Sequence, residues 1–118
     1  MAYSNRSLRR RPRVERRVLS LLRGEETLAE HAACFVRLRT LATRRALTVL
    51  QPGTLYLGDD ELTLLGWIAA AQRQVSRRFR PDDRCLAASI ERCAGILDEA
   101  GLHLHPLTLY EHWLRGLE

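Results

Sequence analysis

Apolar residues recur at helical spacing along most of this chain. Leu64, Ile68, Ala71, Val75 and Phe79 follow one another at four, three, four and four, the step of one helix face. Leu65 and Trp67 widen that stripe, so the segment predicts a central helix packed against more than one neighbour. Gly58 breaks what precedes it, Asp59 or Asp60 can cap its free amides, and Glu61 suits its first turn. It ends near Arg80, before Pro81. A second stripe, Leu86, Ile90, Cys93 and Leu97, starts around Asp82 or Asp83, with Ala87 and Ala94 offering close approach. Gly101 is placed to stop it in the left-handed conformation.

Leu28, Ala32, Phe35, Leu38 and Ala42 predict an earlier helix over residues 25–45, with Arg37, Arg44 and Arg45 toward solvent. Before it, Val14, Val18, Leu21 and Leu22 form a narrow stripe on a helix that opens at Pro12 and ends at Gly24. A short last helix runs from about Leu107 to Arg115 behind Pro106, with Leu109, Trp113 and Leu114 available for docking. Residues 46–57 permit either a small hairpin or a helix end, a turn and an extended linker. Gln51-Pro52-Gly53 suits a type II turn, whose twist fits a tight hairpin poorly, so the linker is preferred. The expected fold is all-α: a small irregular bundle of four to five helices with a basic N-terminal extension, residues 1–11, on a single domain, residues 12–118.

Composition supports one core. A chain of 118 residues with 46% hydrophobic content fits a single domain without metal or disulfide staples. Cys34, Cys85 and Cys93 are odd in number and form no CxxC pair, which reads as free thiols in a reducing compartment. With no signal-peptide pattern and no apolar run long enough to span a bilayer, a cytoplasmic location is expected.

Charge is the one lopsided feature. Every basic residue is arginine, a uniformity that compositional bias explains more simply than phosphate recognition. Yet eight arginines fall in residues 1–24 beside a single acid, Glu15, for a formal +7, whereas residues 25–118 hold eleven arginines against thirteen acids. Arg9, Arg10 and Arg11 could span neighbouring phosphates, and Arg13, Arg16 and Arg17 would continue the same surface on the first helix, with Arg23 at its end. Arg73, Arg77 and Arg80, at four and three, project from one side of the central helix as a second basic group. Asp82 and Asp83 could neutralise part of that group, and the aromatics do not alternate with arginines as a base-stacking platform would.

Two functions follow as expectations. The first is noncatalytic binding of nucleic acid, or regulation through it, by the arginine-rich arm. The second is an adaptor whose first helix lays Val14, Val18 and Leu21 into a groove of an acidic protein while its arginines meet the rim. The same stripe could instead pack onto its own core. A homodimer is compatible with the broad central helix, and an anionic membrane surface ranks below the other partners. Catalytic residues, cofactors and metals are not expected. His31 and Cys34 could share a helix face near Cys85, Cys93, His103 or His105, but buried structural thiols explain the cysteines better. Cys34 also lacks an orienting acid or oxyanion donors for nucleophilic chemistry.

Overall fold

The computed structural model describes residues 6–73 and 80–115, which form five α-helices: α1 Arg13–Arg23, α2 Ala32–Arg44, α3 Asp59–Gln72, α4 Arg84–Glu99 and α5 Pro106–Arg115. Single 3-10 turns stand at Leu8–Arg10 and Ala29–His31, and no strand is present among the described residues. The fold is all-α. Its radius of gyration, 13.0 Å, is about what a folded chain of this length should have.

Helix α3 is central, packing against α1, α4 and α5, while α2 packs between α1 and α4. Leu62, Leu64, Leu65, Ile68 and Ala69 are buried, alongside Gly66. Burial on several faces explains why α3 carries apolar residues almost all round rather than on one stripe. The core adds Val18, Leu21 and Leu22 of α1, Phe35, Leu38 and Ala42 of α2, and Leu86, Ile90, Cys93 and Leu97 of α4. The last four are the expected α4 stripe, each almost completely buried.

The helix ends are closed by local chemistry. Gly24 takes φ 81° beyond α1 and donates to the Leu21 carbonyl, while the Glu25 amide returns to Ser20. Arg39 of α2 adds hydrogen bonds to the carbonyls of Leu21 and Leu22, so the neighbouring helix also caps this end. A Cβ at Gly24 would meet that guanidinium at 3.3 Å, on top of the strained φ. Gly101 (φ 77°) follows α4, with the Leu102 amide bonded to Leu97 O at 2.8 Å. Gln72, the last residue of α3, then holds the next segment from both sides: its amide donates to Leu102 O and its carbonyl accepts from Leu104 N.

Asp83 is the N-cap of α4, accepting from the Leu86 amide at 2.8 Å and pairing with Arg45. The amide hydrogen bond, reinforced by Arg45, lowers its pKa from the ordinary carboxylate value. A lowered folded-state pKa means that the cap stabilises above the unfolded-state pKa, near 4, and is lost as pH falls through the folded value. Asp83→Asn keeps an N-cap acceptor without the titration. The thermal midpoint of the wild type is therefore expected to exceed that of Asp83→Asn at pH 7. The gap should narrow as pH falls below about 4, as read by circular dichroism; a gap unchanged with pH would exclude the carboxylate as its source.

Residues 25–28 and 6–11 depart from the sequence expectation, whereas residues 46–57 follow the preferred one, an extended linker. Residues 25–28 are not helical, and α2 begins at Ala32 instead of near Glu25. The two acids expected in its first turn are used elsewhere. Glu25 accepts from Gly53 N at 2.6 Å and from Ser20 Oγ, and Glu26 pairs with Arg17 at 2.8 Å. Residues 46–57 are an extended crossing with a turn at 51–54, closed from Thr54 N to Gln51 O, rather than a hairpin. The crossing pairs with the N-terminal segment. Ser7 and Tyr56 form an isolated antiparallel bridge, Leu8 N donates to Leu55 O, and Leu57 N donates to Arg6 O at 2.7 Å. Residues 6–11, expected as part of a flexible arm, thus lie against the domain; residues 1–5 are outside the described residues. Val75, Arg77 and Phe79, expected on α3, are outside them too.

Candidate polyanion-binding arginine surface

The arginines near the N-terminus divide into those the fold consumes and those it leaves in solvent. Arg11 is consumed. Its guanidinium makes a two-pronged contact with Glu15 (2.7 and 3.0 Å) and another with Glu111 of α5 (3.0 and 3.2 Å). Thr108 completes the cluster by donating its hydroxyl to Glu15. Burial works against the charged guanidinium, but the hydrogen bonds to Glu15 and Glu111 outweigh it and hold the pKa above its ordinary value. Arg11 is therefore a buried bridge between the start of α1 and α5, not a surface donor.

Arg23 is consumed as well. It lies flush against Glu61 of α3 (2.7 and 2.8 Å) and donates to the carbonyls of Thr54 and Tyr56, both at 2.7 Å. Side-chain exposure is 1% for Arg23 and 0% for Glu61. The acid also accepts the amides of Leu50 and Gly58, so one ion pair organises the whole crossing segment as well as the start of α3. Arg6 pairs with Asp59 at 2.9 Å, and Arg17 with Glu26.

Four arginines remain. Arg9 and Arg10 on the 3-10 turn, and Arg13 and Arg16 on the first turns of α1, are exposed and form no ion pair among the described residues. Arg13 and Arg16, three apart, project from one side of the helix. Their nearest acid in sequence, Glu15, is turned inward to Arg11 and buried. The result is a short run of uncompensated positive charge on backbone that is already ordered.

The apolar side of α1 faces the other way. Val18 and Leu21 are completely buried in the chain's own core, and Val14 packs against that core half-buried. Of the two outcomes open to this stripe, the structure realises self-packing, because α2 and α3 already cover it.

Of the second basic group, Arg73 and Arg80 are among the described residues, and both have partners. Arg73 reaches the carbonyls of Ala69 and Leu104 and fastens the chain after α4 onto α3. Arg80 pairs with Glu91 at 3.4 Å. Arg77 is outside the described residues.

The remaining candidate chemistry lies apart from this surface. Among the described residues no group of three or more His, Cys, Asp or Glu side chains converges to hold a metal. Cys93 is buried and its thiol is pushed up to about 12, chiefly by desolvation with the nearby Cys34 adding to it, which marks a structural thiol rather than a nucleophile. His103 meets Asp98 at 2.8 Å on the surface. Asp59, Asp60 and Glu61 serve the start of α3 and its neighbours: Asp60 accepts from Thr48 N, and Glu61 holds Arg23.

Sequence reasoning missed which arginines are structural. For Arg11 a signal existed, since Glu15 follows at i+4. For Arg23 none did, because its acid is 38 residues away. No family model, curated protein or solved structure matches the chain.

Proposed function

We propose that this protein acts without catalysis, binding nucleic acid through the backbone phosphates by way of Arg9, Arg10, Arg13 and Arg16. The observation that supports the reading most is that these four guanidiniums stay solvent-exposed and unpaired while the arginines on either side of them are neutralised by acids. A carboxylate beside them would compete with phosphate; among the described residues none pairs with them. Phosphate contacts need donors rather than a shaped pocket and impose little sequence preference. Tertiary bonds fix the 3-10 turn and α1 beforehand, so binding would cost less backbone ordering than a loose basic tail requires. A cytoplasmic location belongs to the same reading, supported by three unbridged cysteines and by the absence, among the described residues, of any helix long and apolar enough to cross a membrane.

Salt dependence is the test. Four phosphate contacts give a slope of log K against log salt of roughly −3.6, or about a hundredfold weaker binding between 50 and 200 mM. A variant with Arg9, Arg10, Arg13 and Arg16 all changed to Gln should keep its circular dichroism spectrum and thermal midpoint while losing most of its affinity for a labelled duplex. Single-stranded RNA, run in parallel, reports whether the contact distinguishes strands. Equal binding by the folded variant and the wild type would remove the N-terminal surface from the mechanism.

A further inference from the structure

Helices α2 and α4 leave a groove on the surface that the N-terminal arginines do not use. One hollow of about 560 Å³ is lined by Ala33, Cys34 and Arg37 of α2 and by Arg84, Cys85, Ala88, Ser89 and Arg92 of α4. A second, of about 570 Å³, shares Ala33, Arg37 and Cys85 and continues past Val36, Thr40 and Leu41 to Arg44. On α2 the lining positions 33, 37, 40, 41 and 44 fall on one face, and on α4 the positions 84, 88 and 92 do the same. The two hollows therefore read as one trough, about 17 Å long from Ala33 to Arg44 at the helical rise. Small residues, Ala33, Ala88 and Cys85, keep its floor open, and half-exposed Val36 extends the apolar surface.

Its charge is of one sign. Arg37, Arg44, Arg84 and Arg92 stand along the trough, and among the described residues no acid lines it and none of the four forms an ion pair. The neighbouring acids Asp83 and Glu91 are already engaged by Arg45 and Arg80. Among the described residues no Phe, Tyr or Trp lines it, so it offers bases no aromatic face to stack on there. An apolar floor is also poorly matched to a phosphodiester backbone.

We propose that this trough docks an acidic amphipathic helix of a partner protein. About three turns fill the length, with leucine-sized side chains at i, i+3 or i+4 and i+7 over the alanines and Val36, and carboxylates on both flanks facing the arginines. Arginine suits this role because its planar fork donates two parallel hydrogen bonds to a carboxylate. The site is separate from the proposed nucleic-acid surface, so one chain can join a nucleic acid to an acidic protein.

Fluorescence anisotropy with a labelled 15-residue Leu/Glu amphipathic peptide tests this directly, beside a control peptide of equal charge with the leucines replaced by serine. The Leu/Glu peptide should bind, and the control should bind about tenfold more weakly or worse. Arg37→Gln/Arg84→Gln/Arg92→Gln should cost about tenfold or more. Ala88→Trp, which fills the floor without touching charge, should abolish binding. All these positions are exposed, so the variants should stay folded. The Arg9, Arg10, Arg13 and Arg16 variant should bind the peptide as wild type does. Cys85, exposed on the trough wall, offers a second readout, since bound peptide should slow its alkylation. The proposal is overturned by peptide binding indifferent to Ala88→Trp, by equal affinity for the serine control, or by no binding at low salt. A dimer in sedimentation that Ala88→Trp dissolves would also overturn it, by assigning the trough to a second copy.

Discussion

Glu61→Ala is expected to cost about 3–5 kcal/mol of folding free energy, the range for removing one partner of a buried ion pair. The loss has two parts. Arg23 would remain charged at a site with 1% side-chain exposure, its only compensation the carbonyls of Thr54 and Tyr56. The amides of Leu50 and Gly58 would lose their acceptor, and buried donors without partners are costly by themselves. Glu61→Gln separates the parts. It can still accept a backbone amide, but it sets an NH2 group against the guanidinium, so it should fall between the wild type and alanine. Urea unfolding followed by circular dichroism measures both variants. A cost for Glu61→Ala within 1 kcal/mol of zero would mean that the pair does not organise residues 46–58.

Arg11→Ala is the second large loss, at about 3 kcal/mol by the same reasoning, because it strands the buried carboxylate of Glu15 with Thr108 as its remaining side-chain donor. Glu111→Gln should cost under about 1 kcal/mol, because the Glu111 side chain is 41% exposed and water replaces what the pair supplied. Arg11→Lys is the informative intermediate. A compact ammonium can neutralise Glu15 but cannot reach two carboxylates with paired prongs, so it should recover part of the loss and no more. The same denaturant series reads all three variants. Equal costs for Arg11→Ala and Glu111→Gln would place the energy in the exposed arm of the cluster and contradict its geometry.

These two clusters explain why the fold was more legible than the surface. Periodicity reports which face of a helix is buried, and it located α4 through Leu86, Ile90, Cys93 and Leu97 because a single stripe there meets a single core. The stops at Gly24 and Gly101 were equally local, since a positive φ at a helix end favours glycine whatever the tertiary setting. The start of α2 was not local. Glu25 and Glu26 suit a first helical turn, but Gly53 and Arg17, distant in sequence or in the preceding helix, compete for their carboxylates. The arginine surface failed in the same way. A charge count treats Arg11 and Arg16 alike; only Glu15, Thr108 and Glu111 converging from two helices make one a bolt and leave the other in water. The trough had no signature either, since its two walls lie about fifty residues apart and neither carries a motif.

The bond between Arg11 and Glu111 spans 100 residues, and that span has a meaning in time as well as in space. A ribosome adding about 5–20 residues per second needs roughly 5–20 s to travel from one residue to the other. For all of that interval Arg11 has Glu15 within reach along the chain but not Glu111. The cluster that joins α1 to α5 can therefore close only after Glu111 has been made, so this contact belongs to a late step of folding during synthesis.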